Sequence, residues 1–420
     1  MRPTSRTREP SRDSENPVMN QKPENLIVVL DLGSAWTRVL AADLNEGALR
    51  YRGHGIMESA GMRKGMISDL GPASKAVKAA VERAELSARA NIDECAVGVG
   101  GPHIRGLNTS GGFDLGNRLR EISREDVRTA IERARAVERP PDREILHLLP
   151  RQFILDDQPG IFDPIGMVGA RLEVDLHIAT CSGSALQSTV TCANRAGVEV
   201  TEAVLESIAS AEATLSADER ELGVCLIDIG AHSSEIIVFF EGAVAHTGCI
   251  PLGGLHFTND LAVGLELSAA QAEEVKCRFG NCVVTAVPQD AEIELANPQP
   301  IRLSLRMVAE ILEPRAREFM YFARESLRQG GVLDALGAGC VFTGGGASLP
   351  GLLDVAEGQL RVPARTGLPV RLSHMPGELV NPAFATAVGM LLYAHRTRVS
   401  RAAENNSLRS KLRSLFASSY

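Results

Sequence analysis

The chain has 420 residues, with 44 basic and 52 acidic side chains and a formal net charge of −8. This length predicts two to four compact units, and the acidic balance argues against a nucleic-acid partner. Eight scattered cysteines without a CxxC pair exclude a zinc ribbon and a disulfide framework, and no run approaches the roughly 20 apolar residues that span a bilayer.

The first ordered elements are predicted to be strands around one helix. Residues 1–24 are polar, so we expect a disordered tail without a secretory signal. Apolar spacing predicts a helix over 72–89. Strands are predicted over 26–30, 39–42, 50–57 and 97–100.

Residues 100–170 differ in character and are interpreted as an inserted subdomain. The glycine-rich stretch 110–112 indicates a hairpin turn. Ser123 and Asp126 form the pattern of a capping box, which predicts a helix through Arg135. Beyond this block, alternating apolar residues over 171–180 predict a strand.

The second half of the chain repeats the pattern of the first half. A strand, a turn and a second strand are predicted over 224–240, and a glycine-rich strand exit follows at 341–346. Helical segments are predicted over 184–196, 205–215, 256–330 and 382–397, and a polar linker over 398–406.

Two loops carry the same motif in matching contexts. In each, an apolar strand ends in Asp, an apolar residue, Gly and a small polar side chain, and a second strand follows. Glycine lets backbone N–H groups approach an anion, a serine hydroxyl can bond phosphate oxygen, and Asp can hold Mg²⁺ through water. The alternative is a pair of simple hairpin turns. The candidate residues are Asp31, Gly33 and Ser34 in the first loop and Asp228, Gly230, Ser233 and Ser234 in the second.

A third element offers space for a nucleoside. A strand runs into Gly344, Gly345 and Gly346, where backbone amides and a flat surface are available. Glu273 and Lys276, three residues apart on a predicted helix, share a face and are suited to hydrogen-bond a ribose or base. The alternative for this pair is a solvated surface ion pair.

These three elements, in this order, resemble the actin, sugar-kinase and heat-shock-chaperone ATPase superfamily. The chain is most similar to the FtsA family of actin-like bacterial cell-division proteins. Further motifs that carry the resemblance are DERELGV at 218–224, REILH at 143–147, EILEPR at 310–315, NP at 381–382 and ATAVG at 385–389.

The resemblance implies an α/β actin-like ATPase fold, with two RNase H-like half-domains around a nucleotide cleft, an inserted subdomain and a C-terminal amphipathic helix. The expected cofactors are ATP and Mg²⁺, with Asp31 and Asp228 on the metal through water. The expected parts are a first half (25–99, 171–205 and 375–397), an insertion (100–170), a second half (206–255 and 333–374), a small subdomain (256–332), a linker (398–406) and a membrane helix (407–420).

The family resemblance also implies partners. Such proteins polymerise into filaments, tether the tubulin-like protein FtsZ to the cytoplasmic face of the inner membrane at the division site, and contact other division proteins. The FtsZ C-terminal peptide is expected on the small subdomain. Arg315 is a candidate contact for that acidic peptide, and its alternative is a salt bridge at a helix start.

One departure from the family concerns the second loop. Similar proteins carry Asp-Ile-Gly-Gly-Gly-Thr there, whereas this chain places Ala231 and His232 after Gly230. These side chains restrict a backbone that must approach phosphate, although a partly protonated His232 is able to contact the anion instead. We therefore expect ATP binding with weak or absent hydrolysis, and the sequence identifies no catalytic base.

The C-terminal segment is predicted to be an in-plane membrane helix. Its apolar residues recur at one helical face, and basic residues lie off that stripe. The alternatives are a partner-binding helix or one that docks on the core. The apolar residues are Leu408, Leu412, Leu415 and Phe416, and the basic residues are Arg409, Lys411 and Arg413.

Two other functions remain open at this level. A sugar kinase or phosphatase of the same superfamily needs a catalytic base and a substrate cleft, but has no use for a basic amphipathic tail. A pilus-assembly or cell-shape adaptor is a further actin-like alternative, although a pilus adaptor would bind the peptide of a membrane partner instead.

Overall fold

The computed structural model describes residues 25–45, 47–116, 118–138, 140–297 and 299–399. The predicted tail 1–24 and the predicted membrane helix 407–420 lie outside these residues. No helix in the described part of the chain is both long and apolar enough to cross a membrane.

The predicted strands and helices are present, but residues 292–297 and 299–304, within the range predicted as helical, form two strands. The strands are β1 (Leu26–Leu32), β2 (Trp36–Asn45), β3 (Ala48–Glu58), β4 (Met62–Arg63), β5 (Met66–Ile67), β6 (Glu94–Val99), β7 (Arg105–Asp114), β8 (Arg120–Glu121), β9 (Arg143–Leu155), β10 (Gln158–Ile161), β11 (Val168–Gly169), β12 (Arg171–Ser182), β13 (Glu199–Leu205), β14 (Val224–Ile229), β15 (Ser234–Phe240), β16 (Ala243–Ile250), β17 (Glu292–Asn297), β18 (Gln299–Ser304), β19 (Cys340–Thr343) and β20 (Ala364–Thr366). The helices are α1 (Leu70–Ala88), α2 (Arg124–Arg135), α3 (Gly183–Arg195), α4 (Glu206–Thr214), α5 (Ala217–Leu222), α6 (Gly254–Gly264), α7 (Ala269–Phe279), α8 (Leu305–Gln329), α9 (Leu352–Leu360) and α10 over 385–399.

The first half-domain is built on a five-stranded sheet in the order β13-β6-β1-β2-β3. Because side chains alternate along a strand, β1 buries residues on both faces. Leu30 packs with Val77 of α1 on one face, and Val29 packs with Leu391 of α10 on the other. Helix α1 begins after Asp69, whose side chain accepts the N–H of Gly71 at 2.9 Å.

The inserted subdomain is a four-stranded sheet in the order β10-β9-β12-β7, covered by α2. The predicted capping box of Ser123 and Asp126 is present at the start of α2. Two expectations were wrong. Gly111 and Gly112 lie inside β7 rather than in a hairpin turn. A glycine is required at position 111 because α2 approaches closely: a Cβ there would lie 2.3 Å from the backbone nitrogen of Ala134. Strand β12 pairs with β7 and β9, so the insertion extends to Ser182 rather than to residue 170.

The second half-domain has a sheet in the order β16-β15-β14-β19-β20, and α6 to α8 with the β17–β18 hairpin form the small subdomain beside it. Helix α8 begins at Leu305, before the EILEPR motif at 310–315, and contains Pro314. Proline removes one helical hydrogen bond, and the burial of Leu312 and Phe319 on either side of it maintains the helix.

Equivalent strands of the two half-domains carry the two Asp-Gly-Ser loops. Strand β1 pairs antiparallel with β2 and parallel with β6, and β14 pairs antiparallel with β15 and parallel with β19. Each loop therefore follows the first strand of its sheet at the same topological position. This arrangement brings both loops to one cleft between the half-domains.

Candidate nucleotide site

A cavity of about 410 Å³ lies between the half-domains. This volume falls in the range of small-molecule sites. The single tryptophan of the chain, Trp36, also lines it, directly after the first loop. Of the residues predicted from sequence, the cleft brings together Asp31, Gly33, Ser34, Asp228, Gly230, Ser233, Glu273, Lys276, Gly344, Gly345 and Gly346.

Contrary to the prediction, Ser234 and His232 lie outside the cleft lining. Ser234 begins β15, is fully buried, and donates its hydroxyl to the carbonyl of Leu252 at 2.8 Å, because strand alternation turns it away from Ser233. His232 is outside the cleft lining, and burial followed by the charge of His256 lowers its pKa. A neutral His232 does not supply the positive charge expected for an anion contact.

The glycine-rich turn packs directly against the second loop. Gly344 has φ 79° and ψ 165°, a conformation that essentially only glycine adopts. A Cβ at this position would lie 2.3 Å from Asp228 Oδ1, and its N–H donates to the carbonyl of Pro382 at 3.1 Å. The turn and the loop therefore form one continuous floor at this end of the cleft.

The two predicted acids are held by different partners. Asp31 Oδ2 accepts a hydrogen bond from Arg38 at 3.1 Å. Asp228 Oδ2 accepts from Ser210 at 2.5 Å and from Thr386 at 2.9 Å. Burial raises the pKa of both carboxyls, opposed by these partners.

Glu206 and Glu235 are functional candidates that the sequence analysis missed. They flank Gly100, where a Cβ would lie 2.1 Å from Glu235 Oε1 and 2.2 Å from Glu206 Oε2. Glu235 Oε1 accepts the N–H of Gly101 at 2.6 Å. Burial, reinforced by neighbouring carboxylates, raises the pKa of Glu235 to about 8 and raises that of Glu206 well above its usual value. The sequence could have identified Glu235, because residues two apart on an extended chain share a face and Ser233 was already a predicted site residue.

The acidic end of the cleft is suited to a hydrated cation. Among the residues that the structure describes, its four carboxyls are accompanied by one cation, Arg38, and Glu235 Oε2 is buried without a hydrogen-bond partner. No group of three or more His, Cys, Asp or Glu side chains in the described ranges is arranged to hold a metal directly. These residues therefore fit Mg²⁺ held through water and phosphate rather than in a protein cage. The four carboxyls are Asp31, Asp228, Glu206 and Glu235.

Glu273 and Lys276 also line the cleft, beside the start of α6 that is hydrogen-bonded to the second loop. Lys276 Nζ lies 2.7 Å from Glu273 Oε2 and 2.9 Å from Thr258 Oγ1, and it also donates to the carbonyl of Gly254 at 3.1 Å. The lysine side chain is only 12% exposed. The Glu273 side chain is 45% exposed, so the pair is bonded into the cleft wall through the lysine and meets solvent through the carboxylate.

Arg315 lies on α8 and is already paired. Its guanidinium group contacts Asp260 at 2.6 and 2.9 Å, and it also contacts Glu318. The salt-bridge alternative therefore describes its state here, although it lies in the interior of α8 rather than at the helix start.

Two family models match the chain. One, described as the SHS2 domain inserted in FtsA, matches residues 101–180, and the other, described as cell division protein FtsA, matches residues 225–389. The first match covers most of the inserted subdomain, and the second covers much of the second half-domain.

Solved structures show the fold. A chain of the PilM–PilN type IV pilus biogenesis complex superposes with a TM-score of 0.62 at 16% identity, covering 89% of this chain and 98% of that one. MreB5 of Spiroplasma citri, solved with ADP, gives a TM-score of 0.52 at 14% identity, covering 91% and 99%. These likenesses show an actin-like ATPase fold.

Relatives at higher identity show the family. A cell division protein FtsA from Pseudomonas aeruginosa is 35% identical, covering 88% of this chain and 89% of the relative. The FtsA of Borreliella burgdorferi is 35% identical over 93% and 98%, and that of Escherichia coli is 32% identical over 90% and 92%. On this evidence the chain belongs to the FtsA family of cell division proteins.

Proposed function

We propose that this protein binds ATP with Mg²⁺ in the cleft, polymerises at the inner membrane, and tethers FtsZ to that membrane during cell division. The cleft carries the proposal, because two Asp-Gly-Ser loops from opposite half-domains and a glycine-rich turn line it. The related fold of MreB5 was solved with ADP, which supports a nucleotide as the ligand.

The proposed ATP lies with its phosphates between the two loops. Ser34 and Ser233 offer hydroxyls to phosphate oxygens, and Mg²⁺ is held through water near Asp31 and Asp228. The nucleoside then rests against the turn at 344–346, with Glu273 and Lys276 beside its ribose or base.

We propose that ATP acts as a binding switch with slow turnover. The second loop is bonded to the next helix, because the carbonyls of Gly230 and Ala231 accept N–H groups at the start of α6, each at 2.9 Å. Glu206 and Glu235 have raised pKa values, so near neutral pH both carboxyls are largely protonated and accept a proton from water poorly, which supports slow turnover.

The proposed site for the FtsZ C-terminal peptide is the small subdomain. On α8, Met307 is 51% exposed and Tyr321 is 61% exposed, so both are available to a partner. Arg315 contacts Asp260, so an acidic peptide has to displace an internal carboxylate to reach it. The exposed apolar residues provide contacts without that exchange.

The proposed membrane anchor is the C-terminal segment. Leu408, Leu412, Leu415 and Phe416 fall on one helical face, and each large apolar side chain contributes at most about 1.5–3 kcal/mol when fully buried. Three basic residues add roughly 1 kcal/mol each near anionic lipid. The cost of ordering so short a helix leaves one tail weakly bound. A row of tails on a filament binds roughly 10²–10⁴-fold more tightly, which couples polymerisation to attachment.

Co-sedimentation with anionic vesicles, with and without ATP–Mg²⁺, tests the proposal. We expect ATP to increase pelleting of the full chain, and both truncation after Asn406 and Leu412→Glu to abolish it. The increase with ATP should be steep in protein concentration, because it depends on filaments.

The other outcomes separate the parts of the proposal. Pelleting that needs the tail but ignores ATP would leave the anchor and remove nucleotide control. Pelleting that needs neither would contradict the membrane role, and phosphorylation of a sugar by the purified protein would favour an enzyme of the same superfamily.

A further inference from the structure

A short hairpin closes the phosphate end of the cleft. Strands β4 and β5 pair antiparallel, with Met62 opposite Ile67 and Arg63 opposite Met66, so Lys64 and Gly65 form a two-residue loop. Their φ angles are 50° and 77°, as a type I′ turn requires. The pair next to the turn is Arg63 with Met66, so the backbone N–H groups of Lys64 and Gly65 take no part in the hydrogen bonds between the two strands.

The tip of this hairpin lies between the two phosphate loops. Gly65 lines the cleft, and a Cβ built on it would lie 3.3 Å from Ser233 Oγ and 3.9 Å from Ser34 Oγ. A Cβ on Gly101 would in turn lie 3.2 Å from the carbonyl oxygen of Gly65. The turn thus faces one hydroxyl from each half-domain, across a gap that a single methyl group would fill.

The base of the hairpin is bonded to the first phosphate loop. Ser59 donates its hydroxyl to the carbonyl of Gly33 at 2.6 Å, and its N–H to the carbonyl of Ala35 at 2.9 Å. On the return side, Asp69 donates its N–H to the carbonyl of Gly61 at 3.0 Å and also caps α1. The hairpin therefore connects the loop, the cleft and α1.

A triphosphate bound in the cleft would carry negative charge that needs a further cation at this end. Among the described side chains that line it, the cations are Arg38 and Lys276. Arg38 contacts Asp31, and Lys276 contacts Glu273, so each of these cations already has an acidic partner. Lys64 is exposed at the hairpin tip, next to the glycine that faces both serine hydroxyls.

We propose that the Lys64–Gly65 turn is a third phosphate-contacting element, which receives the terminal phosphate of a nucleoside triphosphate through its backbone N–H groups and the Lys64 ammonium group. This inference rests on the proposed binding of ATP in the cleft. A diphosphate lacks the group that reaches the turn, so the hairpin distinguishes the two nucleotides. Its bonds to the first loop and to α1 transmit that difference to both of these elements of the first half-domain.

Calorimetric titration of the full chain with ATP and with ADP, both with Mg²⁺, tests the role of the turn. Loss of one charge-assisted contact is worth about tenfold or more in affinity, so Lys64→Ala should weaken ATP binding by that factor and leave ADP within about twofold. Lys64→Arg should restore most of the ATP affinity. Lys75→Ala, which removes an exposed lysine from α1, is the matched control and should change neither.

Each other result has one meaning. Equal loss of ATP and ADP affinity in Lys64→Ala, or unchanged ATP affinity, overturns the hairpin assignment and leaves ATP binding intact. A wild-type chain that binds neither nucleotide overturns both the proposed function and this inference. Thermal unfolding of each variant verifies that the comparison is made between folded proteins.

Discussion

Asp31 and Asp228 occupy equivalent positions in the two half-domains, yet they differ in what holds them. Asp31 has a guanidinium partner, whereas Asp228 has two hydroxyl donors and directly abuts Gly344. The position of Asp228 consequently depends on a turn from a distant part of the chain. A substitution at Gly344 is therefore a way to disturb one acid without touching the other.

Gly344→Ala should weaken ATP binding strongly. The backbone conformation at residue 344 costs a non-glycine residue about 1–3 kcal/mol, and the added Cβ would overlap Asp228 Oδ1 at 2.3 Å. Relief of this overlap must move either the carboxylate or the turn. We expect at least a tenfold loss of affinity in calorimetric titration, since that corresponds to about 1.4 kcal/mol.

Gly358→Ala is the control for this substitution. Gly358 lies in α9, and a Cβ there would meet no atom within 4 Å. Alanine is a better helix former than glycine, so this variant should be at least as stable as the wild type and bind ATP equally well. Equal affinity of the two variants would contradict the role assigned to Gly344.

Among single residues, the sequence analysis found those that belong to the repeated loop motif and missed those that reach the cleft from other elements. The paired Asp-Gly-Ser loops were predictable because both copies of the motif occur in the sequence. Glu206 was not, because it enters the cleft from α4, whose sequence carries no such motif. The pairing of Arg38 with Asp31 follows from the register of β1 and β2, which places them opposite each other.

Among the secondary-structure elements, the junction between β12 of the inserted subdomain and β16 of the second half-domain is held by a buried histidine. His177 Nδ1 lies 2.6 Å from Asn108 Oδ1, and Nε2 lies 2.9 Å from Thr247 Oγ1. The amide oxygen accepts only, so these partners assign the proton to Nδ1. Burial, followed by His246 and Arg151, lowers the pKa of His177 to about 3, which keeps it neutral.

His177→Ala should destabilise the protein through this junction. The change leaves Asn108 and Thr247 without their partner, at about 1–3 kcal/mol for each buried group left unpaired. We expect a lower urea midpoint and faster amide hydrogen exchange in β7 and β16. His374→Ala, at an exposed histidine, serves as the control. A midpoint that falls equally in both variants would show that the junction adds nothing.

Some strands and helices could be located from the sequence alone, and others could not. Apolar runs located β1, β6 and β14, because a strand buried on both faces reads as a continuous apolar segment. Gly111 was misread as a turn because its reason is tertiary, namely the close approach of α2. Helix α8 continues through Pro314, and the burial that maintains it there involves distant elements that the local sequence does not reveal.

For the whole molecule, the two half-domains are joined at Asp228. Ser210 of α4 and Thr386 of α10 both donate to this one carboxylate of the second half-domain, and α10 also packs on the sheet of the first. The acids of the cleft are thus part of the connection between the halves. Their protonation should therefore influence the stability of the entire fold.

Glu235→Gln should stabilise the ligand-free protein at high pH only. The pKa of Glu235 is raised from 4.5 to about 8, so the native state binds its proton more tightly than the unfolded chain does. Its contribution to the free energy of unfolding is fully present below the unfolded pKa, and it is lost as pH rises towards 8. A neutral glutamine avoids this loss.

Urea denaturation at pH 5, 6.5 and 8 measures the effect. The free energy of unfolding of the variant should exceed that of the wild type by an amount that grows with pH. Glu199→Gln, at an exposed position of β13, should show no such trend. A difference that is constant across the three pH values would rule out the proposed protonation of Glu235.

Trp36 gives the molecule an intrinsic optical signal. It is the one tryptophan in the sequence, it begins β2 immediately after the first loop, and it lies 43% exposed on the cleft wall. Emission excited at the red edge of protein absorption therefore arises from a single indole at the mouth of the cleft. Entry of a nucleotide should alter the solvent around that indole, so ligand occupancy can be followed in real time by fluorescence without a dye or a label.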